Sequence, residues 1–118
     1  MEKVNLAQKF SLFSETWRPK IAGEINDAYL KLVKVKGEFV WHKHEQEDEL
    51  FLVVKGRLVI HLRGQDLVLE EGEFAIIPRG VEHCPYAEEE THVLLLEPKS
   101  TLNTGDQTNE RTVTPDRI

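Results

Sequence analysis

The chain has 118 residues, 40% of them hydrophobic and 31% charged, enough for one packed domain and too few for two ordinary cores. Its 15 Lys and Arg against 21 Asp and Glu leave a formal charge of −6, which repels nucleic-acid phosphates, and no Lys/Arg cluster offsets it locally. The longest apolar stretch, Leu50 to Val54, falls far short of the roughly 18 residues of a membrane span, so neither nucleic acid nor membrane is expected as a partner.

The opening MEKVNLAQKF carries an acid early and lacks the apolar run that a secretion signal needs, which predicts a cytoplasmic protein. Cys84 is the single cysteine, so no internal disulfide can form, and a reducing compartment suits the chain. Leu6, Phe10 and Phe13 fall at helical spacing and predict a short helix over Asn5 to Phe13. Arg18-Pro19 and Gly23 then interrupt regular structure, so residues 1–27 read as an N-terminal arm.

From Ala28 to Pro98 short β-branched and apolar runs alternate with turn signals, and no segment has a helical period. Strands are predicted near residues 28–36, 38–44, 50–55, 57–63, 67–70, 73–78, 81–85 and 92–97, with glycines in the turns between them. Strands this short and even predict an all-β sandwich or barrel over residues 28–98. Residues 99–118 are polar, rich in Thr, Asn, Asp and Arg, and predict an extended or mobile tail, or one lying across a neighbouring subunit.

The chemistry gathers in two places. On a strand through residues 38–44, His42 and His44 share one face while Phe39, Trp41 and Lys43 share the other. An acidic bend comes next, and Glu49 opens the returning strand, which can bring its carboxylate beside both imidazoles. His83 comes just after the Pro78-Arg79-Gly80 turn and can close the group from across a barrel. Three neutral imidazoles and a carboxylate suit one divalent transition metal, Fe, Mn, Ni, Cu or Zn, better than Ca or Mg. An octahedral ion would keep two positions for water, oxygen or a chelating small molecule.

A His-x-His pair alone is weak evidence; the full spacing is stronger. Gly37-x4-His42-x-His44-x4-Glu49-x6-Gly56 resembles the first motif of the cupin superfamily, and Gly72-x5-Pro78-x-Gly80-x2-His83 resembles the second. The resemblance implies a double-stranded β-helix, or jelly-roll barrel, with His42, His44, Glu49 and His83 as metal ligands. Two departures stand out: four residues, where five are common, separate Gly37 from His42, and Ala87 stands where an asparagine is common. Neither touches a ligand.

The superfamily includes dioxygenases, isomerases, epimerases, decarboxylases and non-catalytic storage or sensing domains, so fold does not choose a reaction. A ligand set with open positions leads to the expectation of a metal-dependent enzyme, of oxygenase or isomerase type, acting on a small polar chelating molecule. The alternative is a non-catalytic metal-binding or sensor module, favoured by the lack of an acid or base placed by sequence outside the ligand set. His61 is expected on a solvated face, His92 in a structural role or at the barrel mouth, and Cys84 in packing. Tyr29, Phe51 and Tyr86 are candidate pocket residues. Phe39 and Trp41 need cover from the N-terminal arm or a second subunit, and similar cupins often pair, so a homodimer is expected.

Overall fold

The computed structural model describes residues 1–118 and is built almost wholly from strands. After helix α1 (Leu6–Phe10) come β1 (Lys20–Ile25), β2 (Ala28–Glu38), β3 (Glu49–Lys55), β4 (Leu58–Leu62), β5 (Gln65–Leu69), β6 (Phe74–Ile77), β7 (His83–Pro98) and β8 (Asp116–Arg117). The eight strands form one hydrogen-bonded sheet that rolls up as a jelly-roll barrel, with β7 as its hub. Along one edge β7 pairs antiparallel with β2; along the other it pairs first with β4, through His83 to Tyr86, and then with β3, through His92 to Leu96.

Period-two alternation decides which side chains enter the barrel. Glu49, Phe51 and Val53 of β3 are buried while Leu50, Leu52 and Val54 are half-buried on the outer face. Val93, Leu95 and Glu97 of β7 point the same way inward, as do Lys31, Val33 and Val35 of β2. The apolar members join Leu58, Ile60, Leu69, Ile77 and Ala87 in one core. Helix α1 is capped by Asn5, whose Oδ1 accepts from Gln8 N–H at 2.9 Å, and it seats Phe10 and Phe13 on the outer face over Leu32.

Three sequence expectations change here. Residues 38–44 are not a strand: β2 continues to Glu38, and residues 39–48 are irregular apart from one bridge between His42 and His83. The arm of residues 1–27 contains β1, which turns back on β2 through the two-residue hairpin Asn26-Asp27, with Asn26 at φ 51°. The tail is ordered by its own contacts: turns cover much of residues 102–111, and β8 pairs parallel with β1.

Trp17 of the arm stacks on Phe39 at 4.8 Å between ring centroids, and the Arg63 guanidinium sits 3.7 Å above Trp41. The cover these aromatics require therefore comes from the same chain.

Candidate metal centre

His42 and His83 face each other across the isolated bridge, with His42 N–H donating to the His83 carbonyl at 3.0 Å and His83 N–H to the His42 carbonyl at 2.9 Å. The turn before His83 is tied to the segment before Glu49: Gly80 N–H donates to the His44 carbonyl at 2.8 Å, and Arg79 N–H to Asp48 Oδ1 at 2.9 Å. Glu49 opens β3 on its inward face. These backbone links bring distant parts of the chain to one place, and the donor atoms of His42, His44, Glu49 and His83 lie within 4.8 Å of one another. All four residues are at most 5% exposed. The pairing anticipated from strand alternation is thus met, although a loop and a bridge hold the two histidines instead of a strand.

The hydrogen bonds orient the rings. His42 Nδ1 is 2.8 Å from the Val40 carbonyl, and His83 Nδ1 is 3.0 Å from the Val81 carbonyl. A carbonyl only accepts, so each Nδ1 carries the proton and each Nε2 turns a lone pair inward. His44 Nε2 and His83 Nε2 each lie 3.3 Å from Glu49 Oε1. None of these three atoms, nor His44 Nδ1, makes a hydrogen bond. Buried unpaired polar atoms cost about 1–3 kcal/mol each, and several aimed at one point fit a cation that all of them would bind. The residues present therefore suit a transition ion of the kind the ligand types imply.

Burial, ahead of the charge His83 would carry, holds the His42 imidazole down to about 4, so it stays neutral in the folded protein. Between the ordinary histidine value of 6.5 and about 4, an unfolded chain takes up a proton that folded His42 refuses, so protonation favours the unfolded state. Metal-free protein is accordingly expected to lose roughly 3 kcal/mol of stability at His42 as pH falls across that window. Urea titrations of the protein and of His42→Gln at each pH isolate the effect; identical pH profiles for the two would contradict it.

Two groups at the site escape hydropathy reasoning. Glu97 is 2% exposed, and its Oε1 pairs with the equally buried Lys31 Nζ at 2.9 Å. Burial and the adjacent Glu49 charge push the Glu97 carboxyl well above its ordinary range, against the pull of Lys31. Burial also raises Glu49, yet contacts with Glu97, His44 and His83 outweigh it and hold that carboxylate well below the usual range. The clue lay in alternation: Lys31 precedes Val33 by two residues and Glu97 comes two after Leu95, so opposite charges occupy inward positions of paired strands.

The other residues weighed from sequence stand apart. His61 Nδ1 pairs with Asp66 at 2.7 Å on the exterior, and His92 stacks on Phe10 at 4.6 Å beneath helix α1. Cys84 is buried, and burial pushes its thiol up to about 11, consistent with packing and not nucleophilic use. Phe51 lines the cavity above the donors, whereas Tyr29 and Tyr86 do not. His42, Glu49 and Glu97 are on the wall of that cavity. Asn103 of the tail also lines it, and Gly105 packs close to His42, where an added Cβ would be 3.0 Å from Cδ2.

The family model described as Cupin domain matches residues 29–98. A crystal structure of a cupin-2 domain containing protein from Shewanella frigidimarina is 49% identical and covers 81% of this chain and 94% of that one, with a TM-score of 0.81. The structure of a Neisseria meningitidis protein is 30% identical, covering 83% of this chain and all of that one (100%), with a TM-score of 0.76. Bacillus subtilis YdbB is 38% identical over 61 residues, 51% of this chain and 54% of its own length. The chain spans about half the length of the curated relatives it matches. No helix is long and apolar enough to cross a membrane.

Proposed function

The chain belongs to the cupin domain family, and from that premise we propose that it holds one divalent transition ion, Fe, Mn, Ni, Cu or Zn, through His42, His44, Glu49 and His83 and acts as a metal-dependent enzyme on a small chelating molecule. One observation carries the reading: four buried donors converge beside a cavity whose wall bears a further carboxyl group, Glu97. When bound, the ion supplies Lewis-acid or oxygen-binding chemistry at positions the protein leaves open. Glu97 Oε2, which accepts from no donor, is the group that can give or take a proton at a molecule held there. A cytosolic setting keeps Cys84 reduced.

Protein purified without a histidine tag is expected to carry one ion per chain by elemental analysis. Chelation should lower its stability, by about 2.7 kcal/mol where free ion had stood a hundredfold above Kd. Identical melting curves with and without chelator would end the metal reading. Oxygen uptake and isomer formation across catechols, thiols and keto acids then separate the oxygenase and isomerase branches. An ion retained with turnover on none of them would leave the non-catalytic binding module.

We also propose a homodimer, on a different ground from the aromatics covered within the chain. Phe74 and Ile76 on the outer face of β6 are 59% and 55% exposed. They continue a row of apolar outward residues through Leu52 and Leu50 of β3 to Leu94 and Leu96 of β7. A second copy applied to this face would bury the row. Light scattering should give twice the chain mass, and Phe74→Glu with Ile76→Lys should give the chain mass; a wild-type monomer at all concentrations overturns the assignment.

A further inference from the structure

We propose that the molecule reaching the metal centre has an apolar body and a single polar head, an inference that rests on the site being a metal centre. The cavity wall is made by Val33 and Val35 of β2, Phe51 of β3, Leu58 of β4, and Val93 and Leu95 of β7. None of these six is more than 6% exposed, so the wall is fixed by the core and cannot be swapped for polar groups by rotamer changes.

The polar groups near the cavity divide into two sets. One set is already engaged: Trp17 Nε1 donates to the Lys36 carbonyl at 2.7 Å, Asn103 Nδ2 to the Arg111 carbonyl at 2.8 Å, and Asn103 Oδ1 accepts from Val113 N–H at 3.0 Å. Those on the wall with unpaired atoms, Glu49 and Glu97, lie with His42 at one end, where the donors converge. A ligand's polar atoms are therefore met at that end alone.

A polyhydroxylated molecule such as a sugar would press hydroxyls against valine, leucine and phenylalanine, each unpaired hydroxyl weakening affinity by roughly tenfold. A carbon skeleton in the same place gains about fourfold for each methylene removed from water. The stacked pair Trp17 and Phe39 extends the apolar lining beyond these six core side chains. The expectation from sequence of a polar molecule is narrowed accordingly: polar at the metal, apolar elsewhere.

Hydroxamates test this because one chelating head can be joined to different bodies. With the protein loaded with Zn, calorimetric titration should give benzohydroxamate a Kd at least about tenfold below that of acetohydroxamate, and gluconohydroxamate should bind no better than acetohydroxamate. Val93→Thr, which keeps volume and adds a hydroxyl to the wall, should shrink the benzo-to-aceto ratio. Should that variant not fold, Phe39→Ala should shrink it as well. Equal affinities for the benzo and aceto forms, tightest binding by gluconohydroxamate, or a ratio unmoved by the folded variant would overturn the inference while leaving the metal reading intact. If the protein binds no ion, the metal reading fails separately. The apolar body is then tested on metal-free protein with phenol, for which saturable protection of Phe51 and Leu58 resonances supports the inference and no saturable binding overturns it.

Discussion

Lys31→Ala is expected to lower the stability of metal-free protein by about 3–5 kcal/mol, the usual cost of removing one partner from a buried ion pair. Lys31 Nζ lies 2.9 Å from Glu97 Oε1, and the two side chains are 2% and 1% exposed. Nζ also lies 3.4 Å from the Thr101 carbonyl and faces the Tyr29 ring at 5.9 Å. Without that ammonium, nothing on β2 would oppose the burial and the Glu49 charge that push the Glu97 carboxyl up. Lys31→Met combined with Glu97→Leu removes both charges and fills similar volume, so it should recover most of the loss. Urea denaturation of the three proteins decides the matter. A single variant within about 1 kcal/mol of wild type, or a double variant no better than the single, would show that the pair does not compensate in this way.

Gly105→Ala is expected to cost about 2–4 kcal/mol and to detach the tail from the barrel mouth. Gly105 has φ of 57°, and a Cβ there would sit 2.3 Å from the Lys43 carbonyl oxygen, a backbone atom that cannot swing aside. The neighbouring contacts are reciprocal: Asp106 N–H donates to the Lys43 carbonyl at 3.0 Å, and Lys43 N–H donates to Asp106 Oδ1 at 3.0 Å. Amide exchange at Lys43 and Asp106 should accelerate together in the variant, with residues of the β3 and β7 core unaffected. Unchanged exchange at those two amides would mean the tail accommodates the methyl group and is not seated by this contact.

The clustering of these four side chains was legible because their spacing survives a change of local structure. His42, His44 and Glu49 fall in order along one segment, and any path that returns the chain into β3 gathers them, whether a strand or a loop. The local form was not legible because residues 39–48 take their backbone partners from around residue 83, which no local period reveals. Strand β1 was hidden by Arg18-Pro19 and Gly23, read as breakers, although Asn26-Asp27 between extended runs is a hairpin turn. The tail looked too polar to fold, and its order comes from specific seats: Gly105 against Lys43, the hydroxyls of Thr104 and Thr112 at 2.7 Å, and Ile118 N–H on the Ile21 carbonyl at 3.0 Å. Lys31 and Glu97 escaped because hydropathy assigns charges to the surface, and only the pairing of β2 with β7 makes their burial tolerable.

The paired amide links between His42 and His83 bear on how a cation would be taken up by the proposed centre. Their spacing is set by main chain and needs no ion, so an arriving ion would meet imidazoles already turned toward it. Uptake then involves little rearrangement of polypeptide, and its pace is governed by how readily the arriving ion sheds its own water. Slowly dehydrating nickel should load more sluggishly than zinc even where it is finally held more tightly, so occupancy in a mixed supply would reflect order of arrival as well as affinity.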